Sequence, residues 1–333
     1  MTTKVAINGF GRIGRCTLRA VFESGRKDIE VVAINDLAPV DHLAHLLKYD
    51  SVHGTFQRDV SVKGDTLVID GHEIRLTAMP NPAELPWGDV DVALECTGRF
   101  NSRDQAAAHL ENGSKRVLVS APASKADRTV VYGVNHDELT GDDVVVSNAS
   151  CTTNCLAPVA KVLDDAFGLT TGYMTTIHAY TGDQPSHDRD HSDLYRARAC
   201  ALSMIPTSTG AARAISLVLP HLEGRLEGSA IRVPTANVSL VDLSFMPERS
   251  ATVESVNAAI QTAANGALKG VLGYEEAPLV SSDFNHNPMS SIFAPAQTSV
   301  TSAGMVRVVS WYDNEWGFSN RMLDTAVHIG GLI

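Results

Sequence analysis

The sequence predicts an α/β fold: a doubly wound, mostly parallel dinucleotide-binding sheet, joined to a second, α+β domain with an open mixed sheet. Three observations carry that expectation. An apolar strand over 4–8 runs into Gly9-Phe10-Gly11-Arg12-Ile13-Gly14 and then into helical spacing. A second strand, 29–35, ends at Asp36. A third, at 144–146, leads into Ser150-Cys151-Thr152-Thr153-Asn154-Cys155 at the head of another helix.

The first observation is a G-x-G-x-x-G turn in its confirming context, with a strand before it and a helix after. Its glycines permit a tight turn and close approach of a pyrophosphate, which would sit at the helix N-terminus. Gly9, Gly11, Arg12, Ile13 and Gly14 are therefore candidate cofactor contacts. Asp36 lies about twenty residues past the fingerprint, where an acid can bind a ribose 2′-hydroxyl and repel a 2′-phosphate. The expected cofactor is NAD.

Further along, 41–48 reads as a short amphipathic helix. Gly64-Asp65 and Asp70-Gly71 read as hairpin turns. Strands are expected at 90–96, 116–119, 130–134 and 144–146, with a helix over 103–110. Ser120 follows one strand end and is a candidate cofactor contact, since strand ends line the ligand crevice in such sheets.

Cys151 is expected at a strand-to-helix turn, where unpaired backbone N–H groups favour a thiolate. Its helix runs to about 167, with Pro158 inside and expected to kink it. His178 ends a strand, 173–178, and beside a thiolate it could hold an ion pair and shuttle a proton. A polar segment follows at 183–195, of a length usually functional or interfacial. Thr209-Gly210 opens a helix at 211–219 whose N-terminus can take an anion. Arg232 stands in a strand between Ile231 and Val233, so it needs an anionic partner, either a ligand or a structural carboxylate. Strands at 238–243 and 305–311 and a helix at 253–268 complete this half.

Composition narrows the function. The 333 residues suit two domains, and 44% hydrophobic content supports a large core. A net charge of -11 argues against nucleic acid or an anionic membrane as partner. Five scattered cysteines, without an apolar leader or a spanning run, point to a reducing, cytoplasmic setting. No metal is expected, because Cys151 and Cys155 have no second ligand pair placed to complete a site.

Together these stretches resemble the phosphorylating glyceraldehyde-3-phosphate dehydrogenase family of bacterial type. The resemblance also rests on 46–54 (Leu-Leu-Lys-Tyr-Asp-Ser-Val-His-Gly), His178-Ala179-Tyr180-Thr181, 205–212, 231–235 and Trp311-Tyr312-Asp313-Asn314-Glu315. It implies that Cys151 is the nucleophile and His178 its base. It places Arg12, Ile13, Asp36, Ser120 and Asn314 on NAD, with Asn314 at the nicotinamide carboxamide. It assigns Ser150, Thr152, Thr181, Arg196, Thr209, Gly210 and Arg232 to the substrate phosphate and to attacking inorganic phosphate. It implies a homotetramer and a division into 1–150, rejoined by 315–333, and a catalytic domain, 151–314. The implied reaction oxidises D-glyceraldehyde 3-phosphate to 1,3-bisphosphoglycerate through a hemithioacetal and a thioester.

The chain departs from the family at a few positions. Pro80 stands where a basic residue near the adenine is common, and Arg189-Asp190 where Leu-Pro is common. Ala236 and Phe318 replace a common Pro and Tyr. Erythrose-4-phosphate dehydrogenase is the alternative within the same chemistry, and 207–212 looks unlike it. A non-catalytic nucleotide-binding regulatory protein is the alternative of another class, opposed by the intact Cys151, His178, Arg196 and Arg232.

Overall fold

The computed structural model describes residues 2–333. The chain divides into two compact units. The first comprises the chain up to Val130, His136–Ala149 and Ser319–Ile333, and the second comprises Val131–Asn135 and Ser150–Phe318.

The first unit is built on a nine-stranded sheet. Its central strand, Thr3–Asn8, lies between Ile29–Asn35 and Val92–Glu95 and is parallel to both. Parallel pairing continues outward to Arg116–Val119, Val145–Ser147 and Arg128–Thr129 on one side, and to His72–Thr77 on the other. The hairpin strands Thr66–Ile69 and Val60–Lys63 extend that edge antiparallel. Strand order therefore reverses at Thr3–Asn8, which puts a ligand crevice at its carboxyl end. The central strands are near-continuous apolar runs because a parallel sheet is buried on both faces. Ala6, Ala33, Ala93 and Val90 pack there around Trp87 and Leu85.

Two expected elements differ. Residues 130–134 do not form a strand. Gly133 has φ +85°, and Asn135 accepts Val131 N–H at 2.9 Å, so the chain turns there. The helix expected over 103–110 is two short pieces, Arg103–Ala106 and Ala108–Glu111, because the chain breaks at Ala107.

The second unit carries an eight-stranded mixed sheet. Its middle strand, Leu169–Ala179, is parallel to Leu226–Val233 and antiparallel to Ser239–Pro247. Ile205–Ser208 flanks the former, and Val306–Tyr312 flanks the latter. Alternation along the middle strand buries Met174, Thr176 and His178 on one face. The helix Cys151–Phe167 packs on the sheet, and its Cys155 Sγ lies 3.3 Å from Ser291 Oγ. That helix runs through Pro158 without ending. Among the described residues, no helix is long and apolar enough to cross a membrane.

Candidate active site

The turn before Cys151 is held by its own backbone. Ala149 has φ +56°, a left-handed conformation that a residue with a Cβ adopts only under local constraint. Its N–H donates to Ser147 Oγ at 3.2 Å. Ser150 is the N-cap of the helix Cys151–Phe167, and its Oγ accepts Thr153 N–H at 3.0 Å. A serine cap satisfies one of the orphan N–H groups of the first turn. Cys151 is therefore the first helical residue, as the sequence suggests.

His178 reaches Cys151 from the sheet. Its Nε2 lies 3.5 Å from Cys151 Sγ. The strand register places Arg232 directly beside His178. Arg232 Nη1 lies 2.8 Å from His178 Nδ1, 3.0 Å from Ala179 O and 3.4 Å from Thr181 Oγ1. The partners of this half-buried arginine are thus neutral groups, and its Nε is buried with no partner. The structural-carboxylate alternative for Arg232 does not describe this site: among the described residues no carboxylate is hydrogen-bonded to it.

Opposing influences act on the two groups. Burial pushes the Cys151 thiol up, while the Arg232 charge and hydrogen bonds with Thr152 pull it down. Burial, followed by the Arg232 charge, pushes His178 down to about 3. Burial thus opposes charge on each group, while the Arg232 cation favours charge on the thiol and disfavours it on the imidazole.

The other predicted anion ligands fall into two groups. Arg196 Nε donates to Thr207 Oγ1 at 3.0 Å, and Arg196 Nη1 lies 3.2 Å from Asp183 Oδ2. Thr181 Oγ1 donates to Asp183 Oδ1. Asp183 is held below the ordinary carboxylate range; burial opposes this, but Thr181, Arg232 and Arg196 outweigh it. Thr209 and Gly210 stand at the head of the helix Ala211–Val218, where Thr209 Oγ1 accepts Ala211 N–H at 3.1 Å. Asn314 Oδ1 accepts from Ser239 Oγ at 2.9 Å, and Ser239 Oγ in turn accepts Ala179 N–H at 3.0 Å. Asn314 is thereby fixed relative to the strand that carries His178.

Two contributors were not among the predicted site residues. Tyr312 Oη lies 2.9 Å from Thr152 Oγ1 and 2.8 Å from Thr176 Oγ1, and its ring meets His178 edge-on at 5.8 Å. Asp183 holds Arg196 and Thr181. Tyr312 lies within a quoted motif, but only strand pairing reveals its partners.

In the first unit the crevice at the end of Thr3–Asn8 is lined by Gly9, Gly11, Asp36, Pro80 and Thr97, among others. The glycines there have separable reasons. A Cβ at Gly9 would lie 2.6 Å from Thr97 N, and one at Gly14 would lie 2.2 Å from Gly9 O. A Cβ at Gly11 would meet nothing of the protein within 4 Å. The missing side chain at Gly11 leaves room in the crevice that protein packing does not demand, so the cradle fits a dinucleotide. Asp36 is oriented there by Phe10 N–H at 2.7 Å and Ala38 N–H at 2.9 Å, one on each oxygen. Arg12 pairs with Asp50 at 2.5 Å. Ser120 N–H donates to Glu95 O at 2.9 Å, which places Ser120 just beyond two neighbouring strand ends.

The chain also matches known proteins. Residues 3–103 match the family described as glyceraldehyde 3-phosphate dehydrogenase, NAD binding domain, and residues 150–314 match the corresponding C-terminal domain. The chain is 66% identical over 333 residues to glyceraldehyde-3-phosphate dehydrogenase of Cereibacter sphaeroides, covering 100% of both chains. It is 65% identical to that of Xanthobacter flavus, again over 100% of both. It is 55% identical to that of Geobacillus stearothermophilus, over 99% of this chain and 98% of the relative.

Proposed function

The chain belongs to the glyceraldehyde 3-phosphate dehydrogenase family, and from that premise we propose that it oxidises D-glyceraldehyde 3-phosphate with uptake of inorganic phosphate, giving 1,3-bisphosphoglycerate. NAD is its cofactor. The observation that carries the reading is the placement of Cys151 Sγ 3.5 Å from His178 Nε2, with the cation of Arg232 beside the same imidazole.

Gly9, Gly11, Gly14 and Asp36 would hold the cofactor, with Arg12, Ile13, Ser120 and Asn314 as further contacts. When bound, NAD supplies the hydride acceptor for the oxidation. The chain's own residues do the rest. Cys151 Sγ attacks the aldehyde carbon as its proton passes to His178 Nε2, and His178 returns that proton to the carbonyl oxygen to give a hemithioacetal. His178 takes the proton of the hemithioacetal hydroxyl as oxidation leaves a thioester on Cys151. Inorganic phosphate then attacks the thioester carbonyl, the C–S bond breaks, and Cys151 regains its thiol. A thioester retains the free energy of oxidation that hydrolysis would dissipate, and an acyl phosphate conserves it. Arg196, Arg232, Thr181, Ser150, Thr152 and the Thr209-Gly210 helix start supply the donors that two phosphate groups need.

We further propose a homotetramer acting in the cytoplasm. Leu194, Tyr195, Leu202 and Met204 are 81%, 63%, 80% and 76% exposed within one segment, and large apolar side chains exposed together are a common mark of an interface between chains. Light scattering should return a mass near four times the 35.6 kDa chain.

The activity test is NADH formation from NAD with glyceraldehyde 3-phosphate, with and without phosphate, and then with erythrose 4-phosphate. Fast turnover of the triose that depends on phosphate is expected. Preference for the tetrose, or indifference to phosphate, would overturn the assignment. No turnover of either with NAD still bound would point to the regulatory alternative.

A further inference from the structure

Two histidines meet away from the site described above. His136 opens the short turn His136–Glu138, and His328 stands in the last turn of the helix Trp316–Gly330. Both residues belong to the first unit. Their ring centroids are 5.1 Å apart and the rings are inclined by 61°. Asp137 Oδ1 lies 3.5 Å from His136 Nε2. One nitrogen of each histidine and one Asp137 oxygen all fall within 4.8 Å of one another. Ligand atoms held about 2.1 Å from a tetrahedral zinc ion stand about 3.4 Å apart. The His136–Asp137 pair already has that spacing, and no other pair exceeds it by more than about 1.4 Å. The Asp137 side chain is 86% exposed, so it can turn toward an ion without disturbing the fold.

The surrounding charges single out Asp137. Glu138 pairs with Arg128, and Asp324, one helical turn before His328, pairs with Arg26 and Arg321. Among the described residues Asp137 has no lysine or arginine partner, and the group it meets is His136. We propose that His136, Asp137 and His328 form a binding site for a divalent transition metal, with zinc as the ion that fits. Two imidazoles and one carboxylate suit zinc, whereas magnesium and calcium take oxygen ligands. The solvent beside Asp137 can supply water as a fourth ligand. A bound ion would tie the last turn of the final helix to a turn that precedes the nucleophile by sequence, and would stabilise the first unit as its occupancy rises. The site is independent of the oxidation chemistry at Cys151. The plainer reading is an edge-to-face ring pair beside a solvated acid, and it predicts no preference for any metal.

Equilibrium dialysis of the full chain against zinc at neutral pH tests the proposal, with magnesium as the control. Cys151 is first alkylated with iodoacetamide, so that the nucleophile cannot hold the ion. The site predicts zinc uptake without comparable uptake of magnesium, and a loss of one equivalent per chain in His328→Ala. Losing an outer partner of a metal ligand already costs about 10- to 100-fold in affinity, so losing a ligand should cost at least as much. Zinc binding by His328→Ala equal to that of the wild type, or equal uptake of magnesium, overturns the proposal. A second measurement needs no variant. Diethyl pyrocarbonate modifies accessible histidines, and peptide mass mapping of the wild type should show that zinc suppresses modification of both His136 and His328 while the exposed His42 still reacts. Modification of His136 and His328 unchanged by zinc overturns the proposal as well.

Discussion

At the scale of single residues, the site is a small set of side chains, each held from more than one direction. His178 is fixed by Ala179 O and Arg232 on one nitrogen, and it faces Cys151 with the other. His178→Asn should lower kcat by about 10²- to 10⁴-fold, the usual range for a positioned general base. Steady-state rates against pH would check this, and a variant with near wild-type kcat would remove His178 from the mechanism. Tyr312→Phe deletes one hydroxyl that bridges Thr152 and Thr176, leaving two buried threonine hydroxyls short of a partner. We expect a loss of about 1–3 kcal/mol in denaturant unfolding, with kcat reduced less than in His178→Asn. The placement of Cys151 at the head of a helix and of His178 near the end of a strand was legible in the sequence, because both elements have clear patterns. Tyr312 was not, because its role depends on pairing three strands and a helix. The Arg232 charge beside His178 was not legible either. Only strand register brings the two together.

At the scale of elements, the fingerprint turn separates packing from binding. Gly9 has φ +93° and backbone against its missing Cβ, whereas Gly11 faces open space. Gly9→Ala should therefore destabilise the protein by about 1–3 kcal/mol. Gly11→Ala should cost about 1 kcal/mol or less as a change of helix N-cap, yet weaken NAD binding by tenfold or more. Thermal unfolding and cofactor titration of the two variants would check this, and equal effects on both properties would refute the distinction. The parallel strands were readable as apolar runs punctuated by glycine, and the Gly64-Asp65 hairpin by its turn. The strand expected at 130–134 failed because an apolar run is equally compatible with a buried turn, and Gly133 at positive φ makes it one. The helix expected at 103–110 was right in kind but broke at Ala107, a boundary that periodicity does not mark.

At the scale of the whole molecule, a chain of net charge -11 pairs its cations locally, as Arg196 does with Asp183. Acid stability rests on similar local pairings. Asp50, with a 3% exposed side chain, is lowered from an ordinary 3.8 to about 2. Burial alone would raise it, but His53 N–H, Arg12 and Val52 N–H together outweigh that. A depressed carboxylate stabilises the fold above its unfolded value, and that stability is lost as pH falls from about 4 toward 2. The contribution is about 2 kcal/mol. Asp50→Asn should lower stability at pH 7 by roughly that amount and flatten the decline below pH 4, measured by chemical denaturation at each pH. The bipartite organisation was visible in sequence as one fingerprint followed by one nucleophile turn. The course of Val131–Asn135, which falls with the second unit, was not visible. No local pattern distinguishes a strand that continues a sheet from a segment that leaves it.

The central claim is that Cys151 carries a thioester which only phosphate releases. Rapid mixing of the NAD-loaded protein with glyceraldehyde 3-phosphate in the absence of phosphate tests it most directly. NADH absorbance should rise in a fast burst approaching one equivalent per chain and then nearly stop. Mass spectrometry should place a phosphoglyceroyl group on Cys151, and added phosphate should restore turnover. Linear NADH formation without a burst, or an acyl group on any residue other than Cys151, would contradict the account.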